Sequence, residues 1–350
     1  MRESEGTMRR VSGLLLVGVG MFALVLALMV KLYAEPRLLR VPLDQSSSTT
    51  SLSDGSSTVL DRGTVSIRTG LTLRANREVR GVVDGSKDDA VAVWHTASSL
   101  LDPAGKPVSV TEEVVAFDRT SGLAVNCCDE QLNGDRTVKH EGLVFKFPFG
   151  AEKKEYPFWD ATAGKAFPAR FVAAEKKNGL DVYHYQSQIP ATTIGSAAVP
   201  PSLVKQTGDQ AIQTSIVYTN TRDLWVEPIS GIIVEGREQP EQVLQGQDGA
   251  ALATVFQSNI GYTPQTVAKA VDDAKAAAGK VFLVRLLLPV ALLVLGALML
   301  LAGVLLLLRD RPRPGSALDG DADDDGPEAI DLRDGATTTR TAPAGATDPR

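Results

Sequence analysis

Hydrophobic positions in this chain follow two patterns. Near each end lies an unbroken apolar run, VSGLLLVGVGMFALVLALMV at residues 11–30 and LLLPVALLVLGALMLLAGVLLLL at 286–308. A helix rises about 1.5 Å per residue, so roughly 20 apolar residues cross the ~30 Å hydrocarbon layer of a bilayer. Each run reaches that length without a charge, which predicts two transmembrane helices. A cleaved signal peptide would have a shorter apolar core of about 7–15 residues and a small-residue cleavage site. The first run is longer, and no A-x-A site follows it. Pro289 falls in the first turns of the second run, where its missing N–H does little harm.

Between the runs the period changes to two. TVSIRTGLTLRA, REVRGVVD, AVAVWHTA and PVSVTEEVVAFD alternate β-branched with polar residues, as do FPARFVAAE, LDVYHYQSQI, QTSIVYTNTRDLWVE, GIIVEGREQPEQVL and ALATVFQSNIGY. Gly, Asp or Pro separates the segments, which is the signature of strands joined by turns. The expected fold is mainly β: an antiparallel β-rich extracytoplasmic domain, residues 63–262, flanked by the two transmembrane helices. The Ser/Thr cluster of residues 45–57 is poor in apolar side chains, so 31–62 reads as a flexible linker or stalk. Residues 263–285 read as a stalk helix before the second span: Thr263 can cap it, Pro264 suits its first position, and the alanine-rich run has high propensity. Residues 309–350 hold too few apolar side chains to bury a core and read as a disordered acidic tail.

A recurrence supports the β reading. Asp118-Arg-Thr-Ser-Gly122-Leu-Ala-Val125 and Glu227-Pro-Ile-Ser-Gly231-Ile-Ile-Val234 share an acid, then Ser-Gly, then Val at fixed spacing. A tight turn closed by a glycine at positive φ would join two strands at each place.

Charge orients the chain. Arg9 and Arg10 precede the first run, and Arg309, Arg311 and Arg313 follow the second. Short cation-rich ends stay inside, so both termini, residues 1–10 and the tail, are expected in the cytoplasm of a two-pass plasma-membrane protein. Lys31, Lys280 and Arg285 lie on the opposite side, where the long central domain would cross regardless of its charge. With 36 basic and 42 acidic residues the net charge is −6, which argues against nucleic acid as a partner.

Candidate chemistry is sparse. The three histidines are His95, His140 and His184; the first and last fall inside strands. His140 adjoins Glu141, but neighbours on a strand face opposite ways. There is no G-x-S-x-G elbow, no H-E-x-x-H and no phosphate-cradling glycine loop. No catalytic residue, no cofactor and no metal is expected, and the chain is not read as an enzyme. The only cysteines, Cys127 and Cys128, are adjacent, whereas zinc pairs are usually spaced so that both sulfurs face one ion. Outside the cytoplasm disulfides persist. A vicinal disulfide just after the first hairpin is the favoured reading, although it must close between Cα atoms about 3.8 Å apart. Two free thiols and an intermolecular bridge are the alternatives.

The densest aromatic stretch is GLVFKFPFGAEKKEYPFWDATAGKAFPARF, residues 142–171. Phe145, Phe147, Phe149, Tyr156, Phe158 and Trp159 either fill the core or line an apolar groove for a lipid. In the second case Lys146, Lys153 and Lys154 would rim the groove and meet an acidic headgroup. Pro148, Pro157 and Pro168 make part of this region irregular loop.

The words AEPRLLRVPLDQ, AFDRTSGLAVNCCDE, HEGLVFKFPFGAEKKEYPFWD and LWVEPISGIIVEGREQ occur in that order before the closing membrane helix. The chain thereby resembles the DUF3068 family of actinobacterial membrane proteins, some of which carry the label porin PorA. The resemblance covers all but the acidic tail and implies a cell-envelope protein, with no catalytic residues to carry across. A spanning barrel is not expected, because strands such as REVRGVVD carry charges where a lipid-facing band would be apolar. The functional expectation is therefore an envelope protein whose outer domain binds or transfers an apolar component such as a lipid. A structural scaffold contacting envelope proteins is the alternative, and porin-like transport the third. The bilayer itself is the remaining expected partner.

Overall fold

The computed structural model describes residues 2–309; the acidic tail, 310–350, lies outside the described residues. Helix α1 (Arg2–Met29) passes through a π-helical turn (Val30–Ala34) into the short α2 (Glu35–Leu38). The fifteen strands are β1 (Ser46–Ser53), β2 (Ser57–Asp61), β3 (Ser66–Leu71), β4 (Arg74–Gly81), β5 (Val91–Leu101), β6 (Pro107–Asp118), β7 (Gln131–Leu132), β8 (Tyr156–Asp160), β9 (Lys165–Lys177), β10 (Leu180–Val199), β11 (Ile212–Val226), β12 (Ile233–Glu238), β13 (Glu241–Gln245), β14 (Ala251–Gln257) and β15 (Ile260–Tyr262). Helix α3 (Pro264–Phe282) continues through a second π-helical turn (Leu283–Leu287) into α4 (Leu288–Arg309). The mainly antiparallel β domain with an apolar helix at each end agrees with the sequence pattern.

Among the described residues all fifteen strands belong to one sheet, in the order β3-β2-β14-β13-β11-β12-β15-β1-β4-β5-β6-β7, with β10, β9 and β8 attached through the far edge of β11. The long β11 pairs with β12 over Arg222–Val226 and with β13 over Ser215–Thr219. Three other pairs of strands break along the same line, between β1 and β2, β3 and β4, and β14 and β15. The ladder continues across this crease, through Asp54 N–H to Asn259 C=O, Ser258 N–H to Pro240 C=O and Gln239 N–H to Thr221 C=O. GIIVEGREQPEQVL, expected as one strand, is divided here because Pro240 has no N–H to give to a ladder.

The Ser/Thr cluster is a correction. Residues 46–53 and 57–61, expected as a flexible linker, are strands, and β1 is held on both edges by β4 and β15. The polar composition concealed this because the small hydroxyls act as crease fasteners. Ser53 Oγ accepts from Leu73 N–H at 2.8 Å, and the buried Ser57 and Ser258 hydroxyls lie 2.9 Å apart. A buried hydroxyl is tolerated when it is hydrogen-bonded.

Helix α3 starts as its sequence suggests, with Thr263 Oγ1 accepting from Thr266 N–H and Pro264 at the first position. It does not stand clear of the domain: Val271 and Ala274 pack on Val182, Trp225 and Val234 of the sheet.

Candidate functional site

The aromatic segment is the interior of the β domain. Phe147, Tyr156 and Phe158 are buried together with Leu143, Tyr185 and Val226. Trp159 is buried in a separate cluster with Val115 and Val144. Phe145 and Phe149 are half-buried against a third, built on Trp94 and Phe117. The rings thus divide among closed clusters, with Phe147 and Tyr185 stacked at 4.5 Å and Trp94 edge-on to Phe117 at 4.9 Å. Neither of the two cavities described is lined by any of these six aromatics or three lysines. Lys153 and Lys154 are exposed, whereas Lys146 is buried rather than on a rim.

Two matching turns hold this segment. Asp118 Oδ1 accepts from the N–H of Thr120 and Ser121, and Gly122 N–H returns to the Asp118 carbonyl. Glu227 repeats the pattern, accepting from Ile229 and Ser230 N–H while Gly231 N–H bonds its carbonyl. Gly122 and Gly231 have φ of 77° and 74°, where a Cβ is strongly disfavoured. Both glycines also face the aromatic segment: a Cβ on Gly122 would lie 3.1 Å from the Lys146 carbonyl oxygen, and one on Gly231 would land on the Phe147 carbonyl oxygen. Phe147 N–H donates to Gly231 C=O, and Gly150 and Ala151 N–H donate to Ile229 and Pro228 C=O. The recurrence seen in sequence therefore marks a two-sided clamp on consecutive residues, 146 and 147.

Lys146 sits inside that clamp. Its ammonium lies 3.5 Å from the centroid of the Phe149 ring and has no hydrogen-bond partner among the described residues. Burial drives its pKa down to about 7, against the opposing pull of Glu227.

Other ionisable groups are paired in the interior. His140 Nδ1 is 2.9 Å from Glu130 Oε2, its Nε2 is 3.6 Å from Glu113 Oε1, and Trp159 Nε1 donates to the same Glu113 oxygen at 3.0 Å. Burial by itself would lower the His140 pKa, but the carboxylates of Glu113 and Glu130 outweigh it and raise it. Burial opposes ionised Glu113 too, yet His140, the charge of Arg77 and the Trp159 N–H hold its pKa below the usual range. Sequence placed Glu141 beside His140; the carboxylates that meet it come from β6 and from the loop before β7, a juxtaposition no local signal reveals. Arg222 likewise bonds Asp160 Oδ2 at 2.9 Å and Glu238 Oε1 at 2.9 Å.

None of these ionisable groups lines the larger cavity, a shallow cleft of about 510 Å³ bordered by Phe167, Arg170, Gln188, Ile189 and Thr221, although Asn220, which donates to Glu238 at 3.0 Å, does. Among the described residues no group of three or more His, Cys, Asp or Glu side chains is arranged to hold a metal ion. Cys127 and Cys128 are joined in a vicinal disulfide with Cα atoms 3.8 Å apart, in a turn where Cys128 and Asp129 adopt positive φ.

The remaining distinctive surface is the helix pair. Helices α1 and α4 pack against each other along their lengths through two glycine contacts. A Cβ on Gly296 would lie 2.9 Å from the Gly20 carbonyl oxygen, and one on Gly303 would lie 2.8 Å from that of Gly13. On each helix the two glycines are seven residues apart, which returns to the same face after two turns. Small residues let helix backbones approach closely where lipid supplies no hydrophobic drive. Leu14, Leu15, Phe22, Leu298 and Leu301 point outward and are exposed. Both helical units, Met8–Leu38 and Pro264–Arg309, are long and apolar enough to cross a membrane.

The profile of the family described as Porin PorA matches residues 12–305, from the first apolar helix through most of α4. A Porin PorA of Corynebacterium amycolatum is 26% identical over 304 residues, covering 66% of this chain and 77% of that protein. A Porin PorA of Corynebacterium resistens is 26% identical over 171 residues, covering 35% of this chain and 41% of its relative. With helices, turns and aromatic segment all inside the matched span, the chain belongs to the porin PorA family.

Proposed function

We propose that this chain is a non-enzymatic, porin-like protein of the cell envelope, and that any passage it provides for solutes forms between copies rather than through one. The carrying observation is the α1–α4 seam. Gly13, Gly20, Gly296 and Gly303 bring the two backbones into contact, which leaves no lumen in the pair. The sheet does not supply one either, since β3 and β7 end its path as separate edges and its strands lack a continuous apolar band. Assembly has a place to start: an apolar notch of about 360 Å³ on the outer face of α1, lined by Val11, Leu14, Leu15, Gly18 and Val19. Nothing lies within 4 Å of where a Gly18 Cβ would stand.

In this reading α1 and α4 lie in the bilayer, with Arg9, Arg10 and Arg309 at the cytoplasmic face and the β domain outside. A lipid groove in the aromatic segment loses its support, because four of its six rings are buried in core clusters and the other two are packed against one. The test is conductance across planar bilayers that receive increasing amounts of purified full-length protein. Conductance should rise more steeply than the amount of protein, and Gly18→Leu should lower it while leaving the circular dichroism unchanged. A linear rise, or no conductance at any loading, overturns the proposal.

A further inference from the structure

The two π-helical turns join the apolar helices to the rest of the chain, and with Glu35 of α2 they carry a charged cluster that the porin reading does not use. Lys31 Nζ is 2.7 Å from Glu35 Oε2, and Arg285 Nε is 3.2 Å from Glu35 Oε1. One largely buried carboxylate thus positions two cations whose side chains remain 48% and 51% exposed. The Arg285 guanidinium lies over bare backbone: a Cβ on Gly150 would come within 3.1 Å of its Nη1. Exposed Arg37 stacks on exposed Tyr33 at 3.8 Å, and exposed Lys280 lies in the last turn of α3, before Arg285. Residues 30–38 and 280–287 hold four cations, Lys31, Arg37, Lys280 and Arg285, and one acid, Glu35, so the collar keeps an excess of positive charge.

We propose that this collar binds the phosphate of an anionic phospholipid, seated on Lys31 and Arg285. The inference rests on the reading of α1 and α4 as membrane helices. Charge complementarity selects the headgroup: a guanidinium already held through its Nε can offer its terminal nitrogens to a phosphate, and a neighbouring ammonium adds a point charge. What lies beneath selects a lipid over free phosphate. Leu28, Met29, Leu286 and Leu287 are exposed on the side of the cations that leads into the apolar helices, and offer an acyl chain its apolar track. Tyr33 and Phe282, also exposed, stand at the level where amphipathic and aromatic rings meet headgroups.

The experiment uses the full chain in detergent, titrated with phosphatidylglycerol or phosphatidylcholine and read by native mass spectrometry. Phosphatidylglycerol should be retained in preference to phosphatidylcholine, and the Lys31→Gln, Arg285→Gln double variant should lower its retention by about tenfold. Arg285→Lys, which keeps the charge but not the fork, should fall between, so the idea stays testable if the double variant misfolds. Equal retention of the two lipids, or unchanged retention in the variants, overturns it. Displacement of phosphatidylglycerol by millimolar inorganic phosphate overturns the lipid assignment in favour of a free-anion site. Flotation with purely phosphatidylcholine vesicles separates the two levels: a chain that does not float defeats the membrane reading and this site with it, whereas one that floats without lipid preference defeats the site alone.

Discussion

The helix pair and the aromatic segment use the same device for opposite ends. In both, glycine lets two backbones touch: Gly20 against Gly296 in the helices, and Gly231 against Phe147 in the domain. Between the helices the contact leaves the large side chains, Leu14, Phe22 and Leu298, on the outside. In the domain it draws Phe147 inward until its ring is wholly enclosed beside Tyr185. Two surroundings explain the contrast. Lipid accepts leucine as readily as another leucine does, so helices in it associate by close packing, while water drives aromatic surface inside and leaves the backbone to make room.

The difference between the two regions is sharpest at Gly231. Gly231→Ala combines positive φ with a collision on the Phe147 carbonyl and should cost about 3–5 kcal/mol, read as loss of near-ultraviolet dichroism at a lower denaturant concentration. Gly179→Ala, at φ 76° with open space around it, should cost only about 1–2 kcal/mol. Equal losses would show that the clamp contributes nothing beyond its backbone angle.

Lys146 gives the next effect, with the reverse sign. Lys146→Met should stabilise the domain at neutral pH by about 1–4 kcal/mol, because it removes a buried charge and keeps the packing. Its folded pKa of about 7 lies below the ordinary 10.5, so between those values the unfolded chain binds a proton that the folded chain does not. Stability should therefore rise with pH across that window in the native chain, and the advantage of Met should vanish toward pH 10.5. A pH-independent advantage would remove Lys146 titration as its cause.

The smallest effect belongs to the helices. Gly20→Leu should overpack the seam at a cost of about 1–3 kcal/mol. In detergent it should lower the helical transition at 222 nm and leave the near-ultraviolet signal of the aromatic core in place. A loss of both signals together would mean that the two regions fold as one unit.

Much of this layout was legible in the chain. The apolar runs, the period-two segments and the two acid-to-Ser-Gly turns are each written in a local pattern, and they lie where that pattern placed them except where the crease divides a segment in two. The Ser/Thr cluster misled because its stabilisation comes from partners far away, Ser258 for Ser57 and Leu73 for Ser53. The candidate site misled for a related reason. An aromatic-rich stretch with lysines has the same composition whether it lines a groove or fills a core, and only the packing of Tyr185, Val226 and Trp94 around it distinguishes the two.

Sequence alone determined the architecture of this protein, two apolar helices around an antiparallel β domain, because hydrophobic period and turn chemistry are local properties of the chain. Only the tertiary structure decided that both glycine turns grip one segment, that His140 meets Glu113 and Glu130, and that Lys31 and Arg285 share Glu35. Those arrangements join residues from 10 to 250 or more positions apart, and long-range pairing leaves no periodic trace in a single sequence.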